Sequence, residues 1–377
     1  MRNFELETYF SKWEFTARHH MTASDMESMD VQSLLAMASD EDKAKLDNLW
    51  LGYTQTWGAP DLRSQISQTY DNIPSENILC MAGAGEGIYA SMRALLKKSD
   101  HVIVIVPNYQ SAESVPLDIC QVSGVTIRHE NNWRLDIDDI KQAIRPNTKI
   151  ISINFPHNPT GSVMPKDDLN TLVALCRQKG IYLFSDEVYR GLEIDTNDQM
   201  PQIADIYEKG ISLNVLSKTY GLPGLRIGWL ASQDQEALEK IECYKHYLSI
   251  CNSAPSECLA IIALKNQKQI FSRNIAIIKE NLVELESFIS EYDMLFDWKR
   301  PKGGCIAFPR YIGADGVEAF CKSLIEESGV LLLPASLYAS ELTAMPDENF
   351  RIGFGRSKNF KEGLQALRNH VATKYST

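Results

Sequence analysis

The chain has 377 residues, 44% hydrophobic and 23% charged, with a formal net charge of -11. That length suits a large domain plus a smaller one, and the acidic balance argues against nucleic acid as the main partner, because phosphate backbones need basic surface. The apolar runs, of which 101–107 is the strongest, are too short to span a bilayer; with no leader-like start and eight scattered cysteines lacking Cys-x-x-Cys or zinc spacing, the expectation is reduced thiols, a cytoplasmic location, no membrane and no metal.

The first forty-odd residues, with Trp13, Phe15 and several Met and Leu, read as helical and as packing beside the smaller domain. Apolar runs at 77–82, 102–106, 149–155, 181–185, 211–216 and 226–231 then predict strands. Stretches at 87–98, 137–144, 166–179 and, more weakly, before Lys209 predict helices between them. Such alternation gives a mostly parallel sheet covered by helices on both faces, with the ligand site in the loops at the carboxyl ends of the strands. Beyond Ser232 come long helical stretches at 236–249 and 256–292. Short strands and helices follow at 304–309, 316–328, 330–333, 350–354 and 361–375, a smaller α+β domain. The chain divides into an N-terminal segment (1–45), a large domain (46–285) and a small C-terminal domain (286–377).

Five segments carry chemistry. In Met81-Ala82-Gly83-Ala84-Gly85-Glu86-Gly87 a strand turns into a helix, whose free N–H groups form an anion site or a plain turn. Pro107-Asn108-Tyr109 places an aromatic at a strand's carboxyl end, able to stack on a flat heterocycle or simply to fill a rim. Asn154-Phe155-Pro156-His157-Asn158-Pro159-Thr160-Gly161 uses prolines to fix the backbone around Asn158. In Ser185-Asp186-Glu187-Val188-Tyr189 a carboxylate leaves an apolar strand and needs a cation to offset its burial. Finally, Val215-Leu216-Ser217-Lys218-Thr219-Tyr220-Gly221-Leu222-Pro223-Gly224-Leu225-Arg226 delivers a lysine into a glycine-rich turn, where desolvation and a nearby cation lower its pKa and make it a nucleophile.

This ordered set, together with Phe350-Arg351-Ile352-Gly353-Phe354, resembles the class I/II aminotransferases, pyridoxal-phosphate (PLP) enzymes of fold type I. The resemblance runs from about Leu51 to the C-terminus. It implies a large domain with a mostly parallel, seven-stranded-type sheet between helices, plus a smaller α+β domain. It implies that Lys218 carries the cofactor aldehyde as a Schiff base and shuttles a proton between Cα and the cofactor. Asp186 would pair with the pyridinium nitrogen, Asn158 and Tyr189 with the phenolate oxygen, and Tyr109 would stack on the ring. The phosphate would sit on Ala84, Gly85, Ser217 and Arg226. Arg351, with Asn158 beside it, would grip the substrate carboxylate. Tyr53 matches the tyrosine that reaches the neighbouring subunit's phosphate, which implies a homodimer.

Two positions depart from the family. Gly85 and Val215 stand where a hydroxyl often binds the phosphate, and each missing bond is worth on the order of 1–2 kcal/mol. The N-terminal segment also lacks the usual glycine-containing strand over the substrate. That unusual start, with Asn154–Gly161, Tyr244–Ser249 and the run from Pro301 to Arg310, is similar to the subgroup containing capreomycidine synthase. Transamination between an amino acid and a 2-oxo acid is therefore the leading expectation. Cyclisation or elimination on a functionalised amino acid is the alternative, and a non-catalytic PLP-binding regulator the remote one. Glu113 and Glu193 read as solvated charges or as contacts for a basic substrate, and His19, His20 and His157 as structural or site-lining.

Overall fold

The computed structural model describes residues 2–375. A seven-stranded sheet forms its centre: β1 (Ile78–Met81), β2 (His101–Val106), β3 (Gln121–Thr126), β4 (Thr148–Asn154), β5 (Tyr182–Asp186), β6 (Gly210–Val215) and β7 (Gly228–Ala231), in the spatial order β1-β7-β6-β5-β4-β2-β3. Neighbours from β3 to β6 are parallel, whereas β7 is antiparallel to both β6 and β1. Both faces are covered, so β2 and β4 are apolar at successive positions. Ile103, Ile105, Ile151 and Ile153 pack into one layer, and Val102, Val104, Val106 and Ile150 into the other. Each such side chain contributes about 1.5–3 kcal/mol of burial.

The expected strands are present to within a residue or two, and the helix Lys166–Lys179 has the predicted bounds. Differences have local causes. Strand β3 is an edge strand whose Gln121-Val122-Ser123-Gly124-Val125-Thr126 buries only Val125 fully, so no apolar run announces it. The helix Ser111–Leu117 was hidden by its internal Pro116. The stretch 256–292 is two helices, Ala254–Lys265 and Gln267–Glu291, which meet at Asn266. Arg226 lies before β7, at the end of the Pro223–Leu225 turn with φ 53°.

The smaller domain centres on the antiparallel strands Ile306–Ala307, Phe350–Gly353 and Leu333–Pro334. Its core includes Phe288, Phe296, Tyr311, Phe320 and Phe350, with Tyr311 stacked on Phe320 at 4.2 Å. The N-terminal residues are only partly helical: Glu5–Trp13, Val31–Ala36 and Asp40–Asp47 are helices. His19–His20 instead forms a short parallel pairing with Val330–Leu331. No helix among the described residues is long and apolar enough to cross a membrane, and all eight cysteines are free thiols.

Candidate active site

Because β2, β4, β5 and β6 run parallel, their carboxyl ends deliver Tyr109, Asn158, Asp186 and Lys218 to one edge of the sheet. Register places Asn154 beside Asp186, and Asp186 beside Leu213. These ends open into a cavity of about 420 Å³ lined by Ala84, Gly85, Tyr109, Asn158, Asp186, Tyr189, Ser217, Lys218, Arg226 and Arg351. Every residue that the family resemblance assigns to the site lines it except Tyr53. Tyr53 is 85% exposed, near the equally open Trp50 and Leu51.

At one end, the helix Ala84–Leu95 begins without a side-chain cap, so its first N–H groups are available to a ligand. Gly83 precedes it at φ 97°, and a Cβ there would sit 2.5 Å from the Arg226 guanidinium; only glycine lets the arginine lie across the turn. Arg226 donates to the carbonyl of Pro223 at 3.1 Å and has no carboxylate partner among the described residues.

On the floor, Asp186 accepts from the Val188 N–H at 3.2 Å. Burial pushes its carboxyl up to about 7, opposed by that bond and by Lys218. Burial holds the Lys218 ammonium below the ordinary lysine value; Asp25 opposes this and Arg351 adds to it. The lysine Nζ donates to Ser24 Oγ at 2.9 Å. Tyr189 donates its hydroxyl to the Ser24 carbonyl at 2.9 Å, and the Tyr109 hydroxyl goes to Glu7 at 2.8 Å.

Arg351 is almost fully buried and hydrogen-bonds Thr22 Oγ1 (3.3 Å), Thr22 O (2.8 Å) and Asn158 Oδ1 (3.3 Å). Arg356 pairs with Asp25 at 2.8 and 2.9 Å. The opposite wall is N-terminal: Leu6, Glu7, Phe10, Glu14, His20 and Ala23–Asp25 all face the cavity. Sequence reasoning missed Glu7, Glu14, Thr22, Ser24, Asp25 and Arg356, for which no local motif gives a signal.

Two carboxylates were misplaced. Glu113 is buried away from the cavity, accepting from Ser340 Oγ (2.7 Å) and the Glu341 N–H (2.9 Å). Glu193 is buried too, held by the Gly191 N–H at 2.8 Å. Neither is a solvated charge or a substrate contact. Of the histidines, His157 is buried against Thr160 at 2.9 Å. His20 lines the cavity, stacked on Phe10, and burial lowers it to about 4, so its ring is neutral.

Comparison with known proteins identifies the family. The family pattern described as aminotransferase class I and II matches residues 21–367. An aspartate aminotransferase of Pyrococcus horikoshii is 28% identical over 84% of this chain and 82% of its own. Capreomycidine synthase of Streptomyces vinaceus is 24% identical over 99% and 92%. The crystal structure of a PLP-dependent aminotransferase from Streptococcus suis superposes with a TM-score of 0.92, at 31% identity over 100% of this chain and 99% of that one. The protein belongs to the class I and II aminotransferases, and its cofactor is pyridoxal 5′-phosphate.

Proposed function

We propose that this chain transfers the amino group of an amino acid to a 2-oxo acid in a ping-pong cycle, with Lys218 as the amine that carries the cofactor. One observation bears most of the weight: the half-buried Lys218 shares a single cavity with Asp186, Arg226, an uncapped helix N-terminus and Arg351. That donor set fits the cofactor. Arg226 and the N–H groups of Ala84 and Gly85, with Ser217 beside them, suit a phosphate dianion. Asp186 suits a protonated ring nitrogen, whose charge would hold it ionised, and the Tyr109 ring suits a planar face. When bound, pyridoxal 5′-phosphate supplies the carbonyl that takes up the amine and the ring that spreads charge from Cα.

The residues do the rest. Arg351 holds the substrate carboxylate by its planar fork, and Asn158 and Thr22 keep that fork oriented. Lys218 takes the Cα proton, because burial favours its neutral amine. Asn158 lies within the same cavity to bond the cofactor's ring oxygen, whereas Tyr189 lines the cavity with its hydroxyl proton given to the Ser24 carbonyl. The exposed Tyr53, Trp50 and Leu51 suit burial against a second copy, so that the partner subunit's Tyr53 completes the phosphate site of a homodimer. The test is spectroscopic: mixing holoenzyme with candidate amino acids converts the cofactor to its amine form, and a 2-oxo acid appears. No conversion with any amino acid overturns the proposal.

Charge points to the substrate side chain. Within the cavity Asp25 neutralises Arg356, the phosphate would offset Arg226, and the α-carboxylate Arg351. With Asp186 facing the ring nitrogen, Glu7 and Glu14 remain, neither in an ion pair among the described residues, and burial raises the Glu14 carboxyl above its usual value. A substrate with a cationic side chain would restore the balance. That observation, together with similarity to capreomycidine synthase over nearly the whole chain, favours a second reading, in which a side-chain amine closes a ring after loss of a β-substituent. Mass spectrometry separates the two: a 2-oxo acid marks transamination, and a cyclic amino acid that keeps its nitrogen marks cyclisation.

A further inference from the structure

Residues 19–27 form an extended strap between the two parts of the molecule. On the small-domain side, His19 N–H bonds the Gly329 carbonyl, Gly353 N–H the Met21 carbonyl and Glu27 N–H the Gly355 carbonyl, at 2.8–2.9 Å. On the other side, Arg273 donates to the Glu27 carbonyl at 2.9 Å. The strap lies backbone to backbone on its support: a Cβ on Gly353 would stand 2.1 Å from Ala23 O, and one on Gly355 2.5 Å from Asp25 O. Three of its side chains touch three cations of the site: Thr22 meets Arg351, Ser24 meets Lys218, and Asp25 meets Arg356.

We propose that Ser24 is a catalytic residue: its hydroxyl holds the free amine of Lys218 in position for the Cα proton and then steadies the ammonium that forms. The proposal rests on Lys218 being the proton-transferring amine. The proton ledger closes without another reactant. The Cα–H bond breaks, its electron pair stays on carbon, and the proton joins the lone pair of Nζ. The ammonium donates to Ser24 Oγ until the proton is handed on, and the neutral amine then accepts from the same hydroxyl. A serine hydroxyl can do both, having one donor and two acceptor sites. Tyr189 does not substitute for it, since its proton is directed to the Ser24 carbonyl. That carbonyl survives any substitution, so Ser24→Ala removes the lysine contact and leaves the tyrosine contact in place.

The test compares wild type, Ser24→Ala and Ser24→Thr. In the cofactor-free protein, competitive acetylation of Lys218 against pH reads the amine directly; Ser24→Ala moves its midpoint downward, because the ammonium loses an acceptor, and Ser24→Thr restores it. In the holoenzyme, Ser24→Ala lowers kcat about 10- to 100-fold, with KM changed less than about twofold and a larger isotope effect from Cα-deuterated substrate; Ser24→Thr recovers most of the rate. An unchanged acetylation midpoint, or a raised KM with kcat and isotope effect intact, overturns the proposal and leaves the strap a structural element. The underlying reading fails separately, if Lys218→Ala still turns over.

Discussion

The cavity has two walls of different construction. The sheet wall carries Asn158, Asp186 and Lys218, each within four residues of a strand end, so neighbouring strands place them. The N-terminal wall carries Glu7, Glu14, His20 and the strap, held by bonds that cross most of the chain: 194 residues separate Ser24 from Lys218, and 329 separate Thr22 from Arg351. The first wall presents the groups that suit the cofactor, and the second faces the space left for the substrate. On the proposed function, the cofactor groups come from the sheet topology, and the substrate would meet a segment whose position depends on tertiary packing.

Changes to each wall should fail differently. Lys218→Ala, on the sheet wall, should lower kcat by about 10⁴-fold or more, since it removes both the attachment point and the base. Borohydride should then no longer fix the cofactor to the chain; fixation at an undiminished level would place the attachment elsewhere. Arg351→Lys touches the group that the strap orients. It should raise KM for the amino acid about 30- to 100-fold with kcat changed far less, because a point charge replaces a bidentate fork. A loss confined to kcat would show that Arg351 does not hold the ground-state carboxylate.

The contrast also explains what the sequence made legible. Strand runs, turn glycines and the lysine segment are local signals, and they located the sheet, the helix N-terminus and the groups that meet there. Thr22, Ser24 and Asp25 are ordinary polar residues whose partners come from distant strands and turns, so no spacing marks them. The same cause misplaced Glu113: a glutamate reads as solvated until the Glu341 N–H, 228 residues away, is seen to cap it. Strand β3 escaped because an edge strand does not need two apolar faces.

Asp186 offers a test in pH. Its carboxyl rises from the ordinary 3.8 to about 7 in the cofactor-free fold. Between those values the unfolded chain binds fewer protons than the folded one, so this group makes stability fall as pH rises from about 4 to about 7. Added pyridoxal phosphate supplies a cationic ring nitrogen and should offset the loss. The melting-temperature gain on adding cofactor should therefore grow from pH 5 to pH 8 by roughly 3–6 °C, and Asp186→Asn should flatten that trend. An equal gain at both pH values in wild type would show that Asp186 does not face the ring nitrogen.

The smallest effect is a gain, and it probes the helix N-terminus beside the sheet wall, at a position where the family resemblance leads us to expect a hydroxyl. Gly85 stands at the second position of the helix Ala84–Leu95, and a Cβ added there meets nothing within 4 Å. Gly85→Ser therefore introduces a hydroxyl without a clash, at the helix N-terminus whose N–H groups suit the phosphate. One added bond to a charged acceptor should tighten cofactor binding about 5- to 10-fold, measured as the Kd of the apoenzyme for pyridoxal phosphate. Serine also favours a helix over glycine by a few tenths of a kcal/mol, so the melting temperature of the cofactor-free variant gives the part of any stabilisation that is not binding. Inorganic phosphate supplies the second control: it should compete with the cofactor more strongly on the variant than on wild type. If Kd is unchanged and phosphate competes equally on both, the phosphate does not lie against Gly85, and the anion end of the cavity must be reassigned to Arg226 alone.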